Sequence, residues 1–180
     1  LVWSAFVSVK ASTGFRTAEI ALPDAESFWD ISRASRANFT WCIGGKLYTS
    51  LTVEQLRNLK KGDYLLIRPP CSKADPFGEV WSAKPICLMY EETPMNAAWR
   101  VAQMELDFPI YDLQERKNTP MFCVERNAAK PLRKSHMVML LPIVLKKVLE
   151  LSDAEAKCYS WHSFRMYLAC ALMASGQEPD

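Results

Sequence analysis

Three β-forming runs, residues 38–43 (NFTWCI), 63–68 (DYLLIR) and 85–90 (PICLMY), lie near one another in a chain otherwise patterned for helices. Strands grouped apart from the longer helices read as an α+β domain, mainly α, in which helices pack with a small three-stranded antiparallel sheet. Gly44-Gly45 marks a tight turn before Lys46-Leu47-Tyr48. Thr52-Val53-Glu54-Gln55 fits a capping box, opening a short helix that Gly62 closes. The Pro-, Asp- and Gly-containing stretch 69–83 is a long hairpin connection, with Lys73 near its tip.

Around these strands the helical pattern dominates. Val2, Phe6 and Val9 recur at helical spacing, so the chain opens inside a helix that Thr13-Gly14 breaks. Arg16 and Glu19 then stand three apart on a short helix ended by Pro23. Their neighbours Phe15, Ala18, Ile20 and Leu22 make the segment half-buried, where an arginine is costly unless it has a task. Residues 24–36 are a polar loop or short helix carrying Arg33 and Arg36. Thr93-Pro94 starts a helix bearing Ala97, Ala98, Val101, Met104 and Leu106. Residues 108–119 are polar and irregular, the one plausible linker. An extended apolar piece, 120–124, precedes a basic run of Lys130, Arg133 and Lys134. Residues 137–151 are strongly apolar and helical, with Pro142 either beginning that helix or kinking it.

The last helix, within 159–176 (YSWHSFRMYLACALMASG), carries the clearest chemistry. Ser160 is its N-cap, and Gly176 sits where the chain needs positive φ. Phe164, Leu168, Ala171, Leu172 and Ser175 share one face. His162 and Arg165, three apart, project together from the N-terminal turn. An imidazole and a guanidinium at a positive helix end suit an anion, phosphate above all.

Composition narrows the class. With 180 residues, 49% of them hydrophobic, one domain with a real core is expected. No run of about 18 apolar residues and no secretion signal occurs, so the expectation is a soluble, intracellular protein without membrane contact. That means the nucleus in a eukaryote and the cytoplasm otherwise. The chain starts at Leu1 and ends at Asp180 like a piece of something larger. Six cysteines without a C-x-x-C pair argue for reduced thiols. Cys158 and His162 lack the second pair a tetrahedral metal site needs, so neither metal nor cofactor is expected. A net charge of +2 leaves nucleic-acid binding to local clustering.

An arginine in TGFRTAEI, a sheet with a hairpin lysine, then HSFR on a late helix, in that order, resembles the catalytic domain of the tyrosine recombinases, the phage-type integrases, and particularly their variants in eukaryotic mobile elements. The family pattern is T-G-x-R-x-x-E, a β-hairpin lysine, and H-x-x-R. Thr13, Gly14, Arg16 and Glu19 match the first part, and His162 and Arg165 the last. Lys73 stands where the hairpin lysine belongs, with Lys84 as its rival. The resemblance covers residues 9–176.

It implies DNA strand cleavage and religation through a 3′-phosphotyrosine, on double-stranded DNA, by a homotetramer in the complete protein. Arg16 and Arg165 would hold the non-bridging oxygens of a pentacoordinate phosphorus, whose extra charge preplaced donors stabilise. His162 would serve as an acid–base or hydrogen-bonding group, Lys73 would protonate the leaving 5′ oxygen, and Glu19 would orient. The family's nucleophilic tyrosine lies well beyond Arg165, and Tyr167, two residues on, reads as packing. The expectation for residues 1–180 is therefore a single partial catalytic domain without the family's N-terminal DNA-clamping domain or its C-terminal nucleophile.

Two alternatives stand beside it. One is a non-catalytic DNA-binding module descended from such an enzyme, in which Arg33, Arg36, Lys130, Arg133 and Lys134, with Lys46, Lys60 and Lys61, contact phosphates. The other is a hydrolase using Cys158 or Ser160 with His162, for which no G-x-S-x-G elbow is present.

Overall fold

The computed structural model describes residues 1–22, 33–71, 75–80, 82–123 and 130–176. The organising helix is α1 (Val2–Thr13), whose Ala5, Phe6 and Val9 are fully buried. After it come α2 (Thr17–Ile20), β1 (Phe39–Ile43), β2 (Lys46–Tyr48), α3 (Val53–Arg57), β3 (Tyr64–Ile67) and β4 (Ile86–Met89). The chain continues through α4 (Ala97–Asp107), α5 (Leu113–Asn118), α6 (Lys134–Val148), α7 (Asp153–Ala156) and α8 (Trp161–Ala174). Helices α4 and α8 both pack on α1. Among the described residues no helix is long and apolar enough to cross a membrane.

The domain is α+β as expected, but the sheet has four antiparallel strands, ordered β2-β1-β3-β4, instead of three. The added strand is Lys46–Tyr48. Gly44 (φ 54°) and Gly45 (φ 82°) both take positive φ, the geometry that joins two strands in a two-residue hairpin, so β2 folds straight back onto β1. Period-two alternation then sets the faces. Phe39 pairs with Ile67 and Trp41 with Leu65, and all four are buried, while Cys87 and Met89 of β4 face out.

A chain of aromatic rings ties the sheet to the last helix. Phe39 of β1 meets Phe122 at 6.5 Å, Phe122 meets Phe6 of α1 at 5.4 Å, and Phe6 meets Trp161 of α8 at 5.6 Å, each edge-to-face. Trp161 stacks in turn on Phe164 at 5.3 Å. The Trp161 indole N–H donates to the Met137 carbonyl of α6 at 2.6 Å, which fixes the start of α8 against two helices at once. Pro142 lies inside α6, so it does not begin that helix; the helix runs on through the position where its missing N–H leaves the Val138 carbonyl without the usual donor.

Four local expectations change. Helix α3 ends at Arg57 with Asn58 as its cap, so Gly62 does not close it. Helix α4 is capped by Asn96, whose side chain accepts from the Trp99 N–H at 2.8 Å, so the helix starts later than Thr93-Pro94. Residues 108–119 are no linker. They contain α5, and Arg116 within it is fully buried. Arg116 and Arg36 close on Glu105 of α4. Nη1 of Arg36 is 3.0 Å from Oε1 of Glu105, and Nη1 of Arg116 is 2.8 Å from Oε2. Arg116 also donates to the Ile110 and Arg36 carbonyls, each at 3.0 Å. Finally, α2 ends at Ile20, because Ala21 is already extended and Leu22 bonds both Leu132 and Lys134. Pro23, the expected terminator, lies outside the described residues.

Candidate functional site

The corner between α1 and α2 is built from backbone outward. Gly14 takes φ 65°, and its N–H donates to the Lys10 carbonyl at 3.0 Å, ending α1 with a left-handed cap. The Thr13 hydroxyl turns back to the Val9 carbonyl at 2.8 Å. Phe15 is buried, and Arg16 follows in extended conformation at the head of α2. Glu19 faces back onto it: Oε2 accepts the Arg16 backbone N–H at 2.6 Å, and Oε1 lies 3.4 Å from its guanidinium. The segment is half-buried as expected: Phe15, Ile20 and Leu22 are buried, Ala18 is exposed, and the Arg16 side chain is 49% exposed.

The start of α8 is equally defined. The Ser160 hydroxyl accepts the His162 N–H at 3.2 Å, and Ser163 returns the favour to the Ser160 N–H at 3.1 Å. Gly176 takes φ 81° beyond the helix end, as its position indicated. With Trp161 buried beneath, His162 and Arg165 are exposed.

The two motifs meet. A β-carbon on Gly14 would lie 3.2 Å from Cδ2 of Leu168 and 3.8 Å from Cγ of Arg165, so the TGFR turn rests directly on the face of α8 that carries Arg165. Thr17, just after Arg16, lines one open cleft of about 360 Å³ together with His162, Ser160, Tyr159, Lys134 and Lys157. Arg16 thus lies between a glycine seated on the HSFR helix and a threonine that shares a cleft with the first turn of that helix. Among the described residues Arg165 has no hydrogen bond or ion pair, which leaves its donors available.

One charged group in the corner escaped the sequence reading. Lys10 is 2% exposed, and its ammonium donates to the Phe15 carbonyl at 2.7 Å. Burial lowers its pKa from 10.5 to about 8; Glu19 opposes that shift and Arg165 adds to it. The available signal was its place one turn after Phe6 on the buried face of α1.

The remaining candidates divide. Lys73 lies outside the described residues, and Lys84 is exposed in the turn ahead of β4. Arg36 is corrected: it is fully buried in the Glu105 cluster and cannot reach a DNA phosphate. Arg33 is half-buried, with Nη1 donating to the Ala18 carbonyl at 2.7 Å. Lys130 and Lys134 are exposed, Arg133 is half-buried, and Lys134 alone of these lines the cleft. Tyr167 is 71% exposed and does not pack. Among the described residues no group of three or more His, Cys, Asp or Glu could hold a metal ion. Compared with known proteins, the chain matches no family model, no curated protein and no solved structure.

Proposed function

We propose that this chain is part of the catalytic domain of a DNA strand-exchange enzyme of the tyrosine recombinase kind, and that the corner formed by Arg16, His162 and Arg165 receives a phosphodiester of duplex DNA. The observation that carries the reading is the seating of Gly14 against Arg165 and Leu168, which joins TGFR and HSFR from opposite ends of the chain. Two guanidiniums with outward donors supply the planar forks that a phosphate accepts in pairs. Glu19 holds the Arg16 backbone and keeps that arginine at the rim. His162 brings a group able to donate or accept a proton beside the phosphate. Lys73 remains the candidate for protonating the leaving 5′ oxygen, and a tyrosine beyond this sequence for the nucleophile.

The test is fluorescence anisotropy with a short labelled duplex. The chain is expected to bind with salt-sensitive affinity. Removing either Arg16 or Arg165 should weaken binding about tenfold or more, the scale of a charged hydrogen bond of roughly 1.5–3 kcal/mol. A nicked suicide duplex should give no covalent adduct with residues 1–180. Binding indifferent to both arginines would overturn the phosphate corner and favour a non-catalytic module held by Lys130 and Lys134.

A further inference from the structure

We propose that the open cleft beside the corner seats one unpaired nucleotide of a DNA strand, its base stacked on Tyr159 and its phosphate on Lys134 and Lys157. The cleft has about 360 Å³ of space, within the range of small-molecule sites. Its lining divides by chemistry. Val138, Leu141, Pro142 and Trp161 make an apolar floor. Lys134, Lys157 and His162 stand exposed on the rim, with the hydroxyls of Thr17 and Ser160 beside them. Among the described residues no acidic side chain lines the cleft. The carboxylates of α7 are engaged elsewhere: Asp153 holds Lys146 at 2.8 Å, and Glu155 accepts from the Ser152 hydroxyl at 2.6 Å.

That division selects the ligand. An inorganic anion would use the rim and leave the floor in water, and an uncharged apolar ligand would use the floor alone. A nucleotide uses both, because its base presents a flat π-face and its phosphate carries the charge. Tyr159, which lines the cleft and is 51% exposed, is the stacking platform. Its position is set by backbone: the Tyr159 N–H donates to the Ala156 carbonyl at 3.3 Å and the Cys158 N–H to the Glu155 carbonyl at 2.9 Å. The Ser160 cap follows directly, and the Trp161 bond to the Met137 carbonyl holds the α6 wall against α8. A ring presented on a fixed turn loses little further freedom when a base stacks on it.

Paired bases stay inside the double helix, so only a nucleotide that has left its partner reaches such a floor. That the ligand is DNA rests on the proposed phosphate corner. His162 joins the two places, since it lines the cleft and stands one turn before Arg165. A strand whose phosphodiester lies at the corner can lay its neighbouring nucleotide in the cleft. Exchange of strands between duplexes requires this, because the nucleotides beside a break must leave their old partners before they pair with new ones.

The experiment compares three labelled duplexes by fluorescence anisotropy: one fully paired, one with a single unpaired thymidine, and one with an abasic residue at the same bulge. The wild type should bind the thymidine bulge about tenfold tighter than the abasic one, the scale of one base stacked on an aromatic ring. Tyr159→Ala should erase that preference and leave affinity for the paired duplex unchanged, whereas Tyr159→Phe should keep it. Lys134→Ala and Lys157→Ala should each lower the salt slope for the thymidine bulge by about one. Should Tyr159→Ala fail to fold, NMR of the wild type decides: the thymidine bulge must shift the Tyr159 ring and Trp161 indole signals, and the abasic bulge must not. Equal affinity for the two bulges, or a preference that survives Tyr159→Ala, overturns the inference. If the preference is missing while Arg16→Ala still weakens all three duplexes, the cleft fails and the corner stands. If the preference holds while Arg16→Ala and Arg165→Ala change nothing, the corner fails and the cleft stands. Binding to none of the three overturns both.

Discussion

The molecule contains two arginine–glutamate groupings that differ in nearly everything but composition. In the first, Arg36, Glu105 and Arg116 have side chains no more than 2% exposed, and Glu105 receives both guanidiniums at 2.8–3.2 Å. Arg36 also lies over the Phe108 ring at 5.9 Å. In the second, Arg16 is half exposed, its ion pair with Glu19 is long at 3.4 Å, and the shorter bond of Glu19 goes to the Arg16 backbone. The first grouping closes on itself and joins the segment before β1 to α4 and α5. The second uses its carboxylate to aim an arginine outward. Charge type does not separate a cluster that closes on itself from one that presents its arginine to solvent; burial and the direction of the donors do.

The sharpest way to break this comparison is Glu105→Ala. It leaves two buried guanidiniums without their carboxylate and should cost about 3–5 kcal/mol, the usual scale for removing one partner of a buried pair. Urea unfolding measures it. A loss under about 1 kcal/mol would mean that water reaches the cluster and that it is no more structural than the corner. The complementary triple replacement of Arg36, Glu105 and Arg116 by apolar residues of similar volume should be near neutral for stability and leave duplex binding intact.

A smaller effect tests the corner's seat. Gly14→Ala forces a side chain onto φ 65°, costing about 1–2 kcal/mol. It also places a β-carbon 3.2 Å from Leu168, a contact that must give by a few tenths of an ångström. Because that contact lies on α8 beside Arg165, duplex binding should fall along with thermal stability. A variant that loses stability and keeps its affinity would show that Gly14 serves the turn only.

How much of this was legible follows from the range of each interaction. The Thr52 and Ser160 caps are formed within three residues, and both were readable. The strand faces repeat every two residues, so the sheet's middle was readable too; β2 was missed as a strand because three residues, KLY, carry little pattern without their hairpin partner. Glu105 joins Arg36 across 69 residues and Arg116 across 11, and nothing local to any of them announces the meeting. That is why Arg36 read as a surface charge and 108–119 as a linker. The corner was legible in its residues but not in its depth, since Lys10 looks like any helical lysine until the fold buries it.

The smallest expected change is the most discriminating. Arg16→Ala removes a half-exposed side chain whose ion pair is long, and exposed pairs of this kind contribute about 0.2–1 kcal/mol at most. The backbone N–H that Glu19 accepts survives the substitution, so the turn should persist. Folding stability should therefore fall by less than about 0.5 kcal/mol, as for ordinary surface substitutions, while duplex affinity drops about tenfold. Glu105→Ala should show the reverse pairing: a large stability loss, and affinity preserved in whatever fraction stays folded. If Arg16→Ala instead destabilises as much as Glu105→Ala, the outward arginine is holding the fold, and the distinction drawn between the two groupings collapses.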